Sequence, residues 1–310
     1  METFLHAVSS VTLILLLTAT GYLCAAKHWM GPEAKAFIGK FLMTIAIPSM
    51  CIYSFRNNLS RELLGESVPM LLAGFCSCLL DFILAFALGK LLRLPRRKLG
   101  IFVMMCAVSN CVFIGLAMCT ELFGSECTPQ VMLYWVVSTS FMQLGGVSFV
   151  RWSGESGGFS AKTFLHFLRT PAIIGTLAGI LIVLFDIRLP SLVMSYARYM
   201  NNVVTPLALL LTGYIIHDIG LRNLHLDRIL SVMMVFRFIA APAICLAFCT
   251  LFGVTGLARN VYIVESAMPV VTQTVVAAAA YGADEQFAAQ GAALSTLACF
   301  IVTPILMMLL

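Results

Sequence analysis

Apolar runs of eighteen or more residues recur along the whole chain, and they limit its fold more than any other feature of its 310 residues. An α-helix needs about 20 mostly apolar residues to cross the hydrocarbon of a bilayer. Backbone groups in that layer have no water to bond, so a spanning segment has to satisfy them itself. The runs predict ten membrane-spanning helices, at 4–26, 36–56, 64–89, 99–122, 129–150, 163–185, 192–216, 228–252, 258–281 and 286–309. With 61% hydrophobic and 11% charged residues, the chain lies well outside the balance of a soluble domain. No polar stretch is long enough for a separate domain, and the largest loop lies around Gly154 to Ser160. The Met-Glu start has no basic region and no small-residue cleavage site behind it, which predicts a retained first span.

Charge sets an orientation. Twelve of the nineteen Lys and Arg residues, among them Lys27, Arg93, Lys162, Arg169 and Arg222, fall in or beside alternate loops. The opposite loops hold only Arg56, Arg61, Arg188 and Arg259. Positive loops stay in the cytoplasm, so both termini are expected outside a bacterial inner (plasma) membrane. The net charge of +5 thus reflects loop asymmetry and not a nucleic-acid surface. The eleven cysteines are scattered singly, and although Cys76 and Cys78 form a C-x-C, no histidine stands at ligand spacing. We expect no metal, no disulfide framework and no cofactor.

Sliding the chain against itself by 158 residues superposes two sets of five spans, 1–152 on 163–310, within one integrated membrane domain. Pro48 then meets Pro206, Gly21 meets Gly179, Lys40 meets Arg198, and Phe123-Gly124 meets Tyr281-Gly282. An odd number of spans per repeat turns the second half upside down, the inverted-repeat architecture of many secondary transporters.

The same offset relates two interruptions, Ser109-Asn110-Cys111 in the fourth span and Met268-Pro269 to Gln273-Thr274 in the ninth. Proline removes a backbone donor and clashes with the preceding turn, so the ninth helix is expected to open just before Pro269. The half-helices beyond each break would present free N–H groups and a partial positive charge to the centre, an arrangement that favours an anion. Asn110 and Gln273 add amide donors; Ser109, Thr272 and Thr274 add hydroxyls. Apart from Asn110, these polar residues serve equally well as glue between helices. Pro48 and Pro206 are candidate hinges, or simply kinks.

Ionisable residues inside spans default to functional hypotheses with a named partner. Glu265, one turn before Pro269, is the candidate carrier of a coupling proton, or else is fixed in an ion pair with Lys40, Arg198 or Arg237. Asp81 and Arg237, at nearly equal depths of spans three and eight, read as a structural pair.

These stretches, in order and spacing, resemble the auxin efflux carrier (AEC) family over essentially the full length. Asn110 to Gly115, Thr205-Pro206-Leu207-Ala208, Val235-Phe236-Arg237-Phe238 and Glu265-Ser266-Ala267-Met268-Pro269 carry the likeness, with Leu294-Ser295-Thr296 and Pro304. The resemblance implies an all-α polytopic membrane protein with broken, crossing spans four and nine, related to the bile-acid symporter architecture. It implies an elevator in which spans one, two, six and seven are the scaffold and a dimer contact. Its members move organic anions, and Asn110 and Pro269 match the family's crossover residues. Plant members have proline where this chain has Ser109, which predicts a softer break in span four.

The function expected is secondary transport of a small organic anion (malonate, malate or an auxin-like acid), coupled to a proton or sodium gradient or to membrane potential. A symporter fits this best. A cation/proton antiporter on a related fold is the alternative, but Glu265 has no acidic neighbour in its span. An intramembrane enzyme is the other class. All five histidines lie at span ends or in loops, and no Gly-x-Ser-x-Gly or His-Glu-x-x-His occurs.

Overall fold

A computed structural model of the chain describes residues 2–59, 61–154, 171–220 and 224–310, which are helical almost throughout. In chain order the helices are α1 (Glu2–Ala26), α2 (Pro32–Asn58), α3 (Arg61–Leu91), α4 (Arg96–Ala107), α5 (Cys111–Phe123) and α6 (Ser125–Ser153). They continue as α7 (Pro171–Leu184), α8 (Ser191–Ile219), α9 (Arg228–Leu251), α10 (Gly256–Ser266), α11 (Gln273–Tyr281) and α12 (Glu285–Met307). Apart from the start of α7, which is described only from Pro171, the outer ends fall within four residues of those expected.

Among the described residues seven helices, α1, α2, α3, α6, α8, α9 and α12, are long and apolar enough to cross a bilayer. The two interrupted passes, α4 with α5 and α10 with α11, are built from shorter pieces. The expected sixth span is described only from Pro171. Its earlier part, with Lys162, Arg169, Arg222 and the loop beyond Gly154, lies outside the described residues. Outward faces are apolar: Leu16 is 61% exposed, Ile239 64% and Ile301 69%, as lipid contact requires.

Two groups of helices pack against each other. In the first, α1 lies along α8 and α7 along α2, and α8 also touches α2. In the second, α3 packs on α4, α6 and α9, α10 packs on α6 and α9, and α4 and α11 pack on α12. Close approach inside the first group depends on glycine. A Cβ on Gly21 of α1 would lie 2.1 Å from the Leu210 carbonyl oxygen of α8. A Cβ on Gly179 of α7 would lie 3.0 Å from the Cys51 carbonyl oxygen of α2. These are the two glycines that the 158-residue offset pairs.

Among the described residues four π-helical turns interrupt otherwise α-helical stretches: Leu42–Ala46 in α2, Cys111–Gly115 in α5, Met142–Gly146 in α6 and Phe236–Ala240 in α9. Such turns re-aim side chains and concentrate at functional sites. In α2 and α9 the turn lies just ahead of Pro48 and Pro242, where proline removes the donor the preceding turn would use. Pro206 behaves differently, because α8 stays α-helical through it.

Candidate functional site

The two interruptions meet. The chain unwinds over 108–110 between α4 and α5 and over 267–272 between α10 and α11, so the break without proline is the shorter. Ser109 and Val270 pair as an isolated antiparallel bridge, and the Asn110 N–H donates to the Pro269 carbonyl at 2.8 Å. Val270 in turn donates its N–H to Ser295 Oγ on α12 at 3.0 Å. Extended backbone therefore replaces helix where the passes cross, and each half supplies part of the other's hydrogen bonding. Asn110 also caps α5: its Oδ1 accepts from the Phe113 N–H at 3.3 Å and its carbonyl from the Gly115 N–H at 2.9 Å. Neither bond uses its Nδ2 donors.

A cavity of about 440 Å³ opens beside this crossing, between the two helix groups. Of the residues singled out in the sequence, Ser109, Asn110, Cys111, Thr272 and Gln273 line it. Pro269 and Thr274 do not: Pro269 engages Asn110 through its carbonyl, and Thr274 is fully buried with Oγ1 unpartnered. The opposite walls were not legible beforehand. They are Trp135, Thr139, Met142 and Gln143 of α6, Met43 of α2, and Leu211 and Ile215 of α8. Met43, Cys111 to Phe113, and Met142 with Gln143 all stand on π turns, so three of the four turns shape this cavity. The Gly145-Gly146 step was the one trace of the α6 turn in the sequence. Lys35 is the single charged residue on the lining, and its Nζ donates to Asp218 Oδ2 at 2.7 Å.

Glu265 lies behind the crossing, not on the cavity wall. It is 0% exposed; Cys119 Sγ donates to its Oε1 at 3.4 Å, and Oε2 has no partner. The carboxyl group fills the space over Gly115, where a Cβ would come within 2.4 Å of Oε2. The ion pairs among the described residues are Lys35–Asp218, Arg56–Asp186 and Lys98–Asp284, so Glu265 is not joined to Lys40, Arg198 or Arg237. Lys40 and Arg198 are in fact exposed. Arg237, 1% exposed, donates from Nη1 to the Cys106 carbonyl at 2.8 Å and from Nη2 to the Ser266 carbonyl. Asp81, 3% exposed, feels the Arg237 charge but forms no ion pair with it, and its Oδ1 is unpartnered.

A family model described as membrane transport protein matches residues 6–156 and 159–307. The chain belongs to this family, the auxin efflux carriers. It is also similar to a protein named "Uncharacterized transporter MJ1031" from Methanocaldococcus jannaschii. The two are 26% identical over 296 residues, covering 92% of this chain and 93% of the relative. The chain is thus an integral membrane protein of a transporter family, and family and relative alike speak for transport over enzymatic chemistry.

Proposed function

We propose that this auxin efflux carrier family protein is a secondary transporter of a small organic anion, alternating access by an elevator movement of the crossing against α1, α2, α7 and α8. One observation carries the reading: two interrupted helices pair backbone to backbone on the wall of a cavity between two helix groups. Helix starts at Cys111 and Gln273 bring N–H groups and positive poles toward it. The lining holds one cation and no carboxylate, which suits an anion and disfavours a cation/proton antiporter. In this reading the chain has ten spans in two inverted five-span repeats, with both termini outside. Equivalent glycine contacts support the repeat, Gly21 joining α1 to α8 and Gly179 joining α7 to α2. The apolar outer face of α1, α2, α7 and α8 is the surface for a homodimer.

The test is uptake of labelled malonate into liposomes carrying the purified protein, with malate and lactate as competitors, under imposed proton or sodium gradients. Saturable uptake that responds to one gradient supports the reading and identifies the coupling ion. Absence of binding and uptake for all three acids under both gradients removes the small-carboxylate assignment.

Glu265 is the coupling candidate, because its Oε2 is buried without a partner beside the moving crossing. Glu265→Gln keeps the shape and removes the exchangeable acid. We expect it to retain downhill exchange of anion but to lose the response to a proton gradient. A pH profile matching the wild type would make Glu265 a packing residue.

A further inference from the structure

Arg237 sits where both interrupted passes end. The last four carbonyls of a helix have no partner inside it. α4 stops at Ala107 and α10 at Ser266, and one carbonyl from each end, Cys106 and Ser266, accepts from the same guanidinium. Cys106 is the last residue but one of α4 and Ser266 the last of α10, and the segments that follow are the ones that pair.

A helix end carries roughly half an elementary charge, negative at the C-terminus. Two such ends converging in a site that is 1% exposed would repel each other, with little solvent to screen them. A single cation balances both. Arginine is suited to this because its planar fork offers several donors in fixed directions, whereas lysine is a point charge. The π turn Phe236–Ala240 carries Arg237 on α9, and α9 packs on both α3 and α10. Arg237 does not line the cavity, so any effect on a ligand passes through the backbone it holds.

We propose that Arg237 is the positioning residue of the crossing: one guanidinium ties the ends of α4 and α10 together and cancels their negative poles, so the cavity is left facing the positive starts of α5 and α11. The tie is independent of the substrate; the consequence for ligand preference rests on the anion reading above. Asp81 is a second buried ionisable group that feels the Arg237 charge, so a variant neutral at both positions separates its response from the loss of the tie.

Amide hydrogen exchange and malonate binding, read from the fluorescence of Trp135 on the cavity wall, would be measured on wild type, Arg237→Lys, Arg237→Met and the double variant Asp81→Asn/Arg237→Met. In Arg237→Met and in the double variant, exchange over 107–113 and 267–273 should rise together by about tenfold or more, with the other helices unchanged. Malonate affinity should fall about tenfold or more in both, the scale of a lost charge-assisted interaction. Arg237→Lys, which keeps the charge, should stay within about threefold of wild-type affinity, since only a fraction of that interaction is given up. Loosening of one segment alone, or equal affinities for the Lys and Met variants, would overturn the proposal. Aggregation of both neutral variants would also count against it, because it would make Arg237 a general core residue. Failure of the wild type to bind malonate would remove the anion reading while the exchange data still decide the tie.

Discussion

Asn110→Ala is expected to abolish saturable anion uptake, with apparent affinity falling about 10- to 100-fold, the range for a lost hydrogen bond to a charged group. Two roles meet in this side chain, and they can be separated. Oδ1 caps α5 through the Phe113 N–H, while Nδ2 takes no part in the cap and the residue lines the cavity. Alanine removes both, and loss of the cap alone should cost about 1 kcal/mol of stability. Asn110→Asp keeps the cap, because aspartate caps as well as asparagine, but it replaces the donor with a negative charge. The aspartate variant should therefore melt like wild type and still fail to carry anion. Wild-type uptake by Asn110→Asp would remove the side chain from the binding site and leave it as a cap.

Much of this crossing was legible in the sequence, for reasons that lie in local chemistry. Proline at 269 removes a backbone donor and crowds the preceding turn, and α10 does end at Ser266. Ser109 lacks that effect on the backbone, and the chain unwinds over three residues between α4 and α5 where it unwinds over six between α10 and α11. Span ends were readable because the bilayer imposes a length on every apolar run. The cavity's far wall was not readable. Trp135, Thr139 and Gln143 look like any residues of an apolar helix until α6 is placed against the crossing. Arg237 was visible as a buried charge, but its partners are main-chain carbonyls, which no sequence pattern marks. Expecting it to pair with Asp81 assumed that side-chain charges seek one another. Here two helix ends supply the negative charge instead. Nothing in the sequence marks Lys35 as a cavity residue, because the Tyr214 ring it lies over and its partner Asp218 belong to α8, far along the chain.

Gly213→Leu is expected to prevent accumulation of folded protein, the largest structural effect we anticipate for one substitution. A Cβ at Gly213 would lie 1.9 Å from the Thr18 carbonyl oxygen and 2.6 Å from the Tyr22 nitrogen, both backbone atoms of α1. From the other side, a Cβ at Gly21 would meet the Leu210 carbonyl oxygen of α8 at 2.1 Å. Neither obstacle is the flexible end of a side chain, so the two helices themselves would have to separate. Small residues that let backbones touch are a main means of helix association in membranes, where no hydrophobic force distinguishes a neighbouring helix from lipid. Gly213→Ala already carries the clashing Cβ, so it should destabilise too, by at least the about 1–3 kcal/mol usual for overpacking and by less than leucine. Gly31→Ala is the control, since nothing stands within 4 Å of that position. Detergent melting and size-exclusion profiles would decide the matter, and a monodisperse Gly213→Leu protein melting like wild type would refute the contact. The outcome also bears on transport. An elevator needs one helix group that holds its shape while the other moves, and in this fold the α1–α8 contact is what would hold the stationary group together.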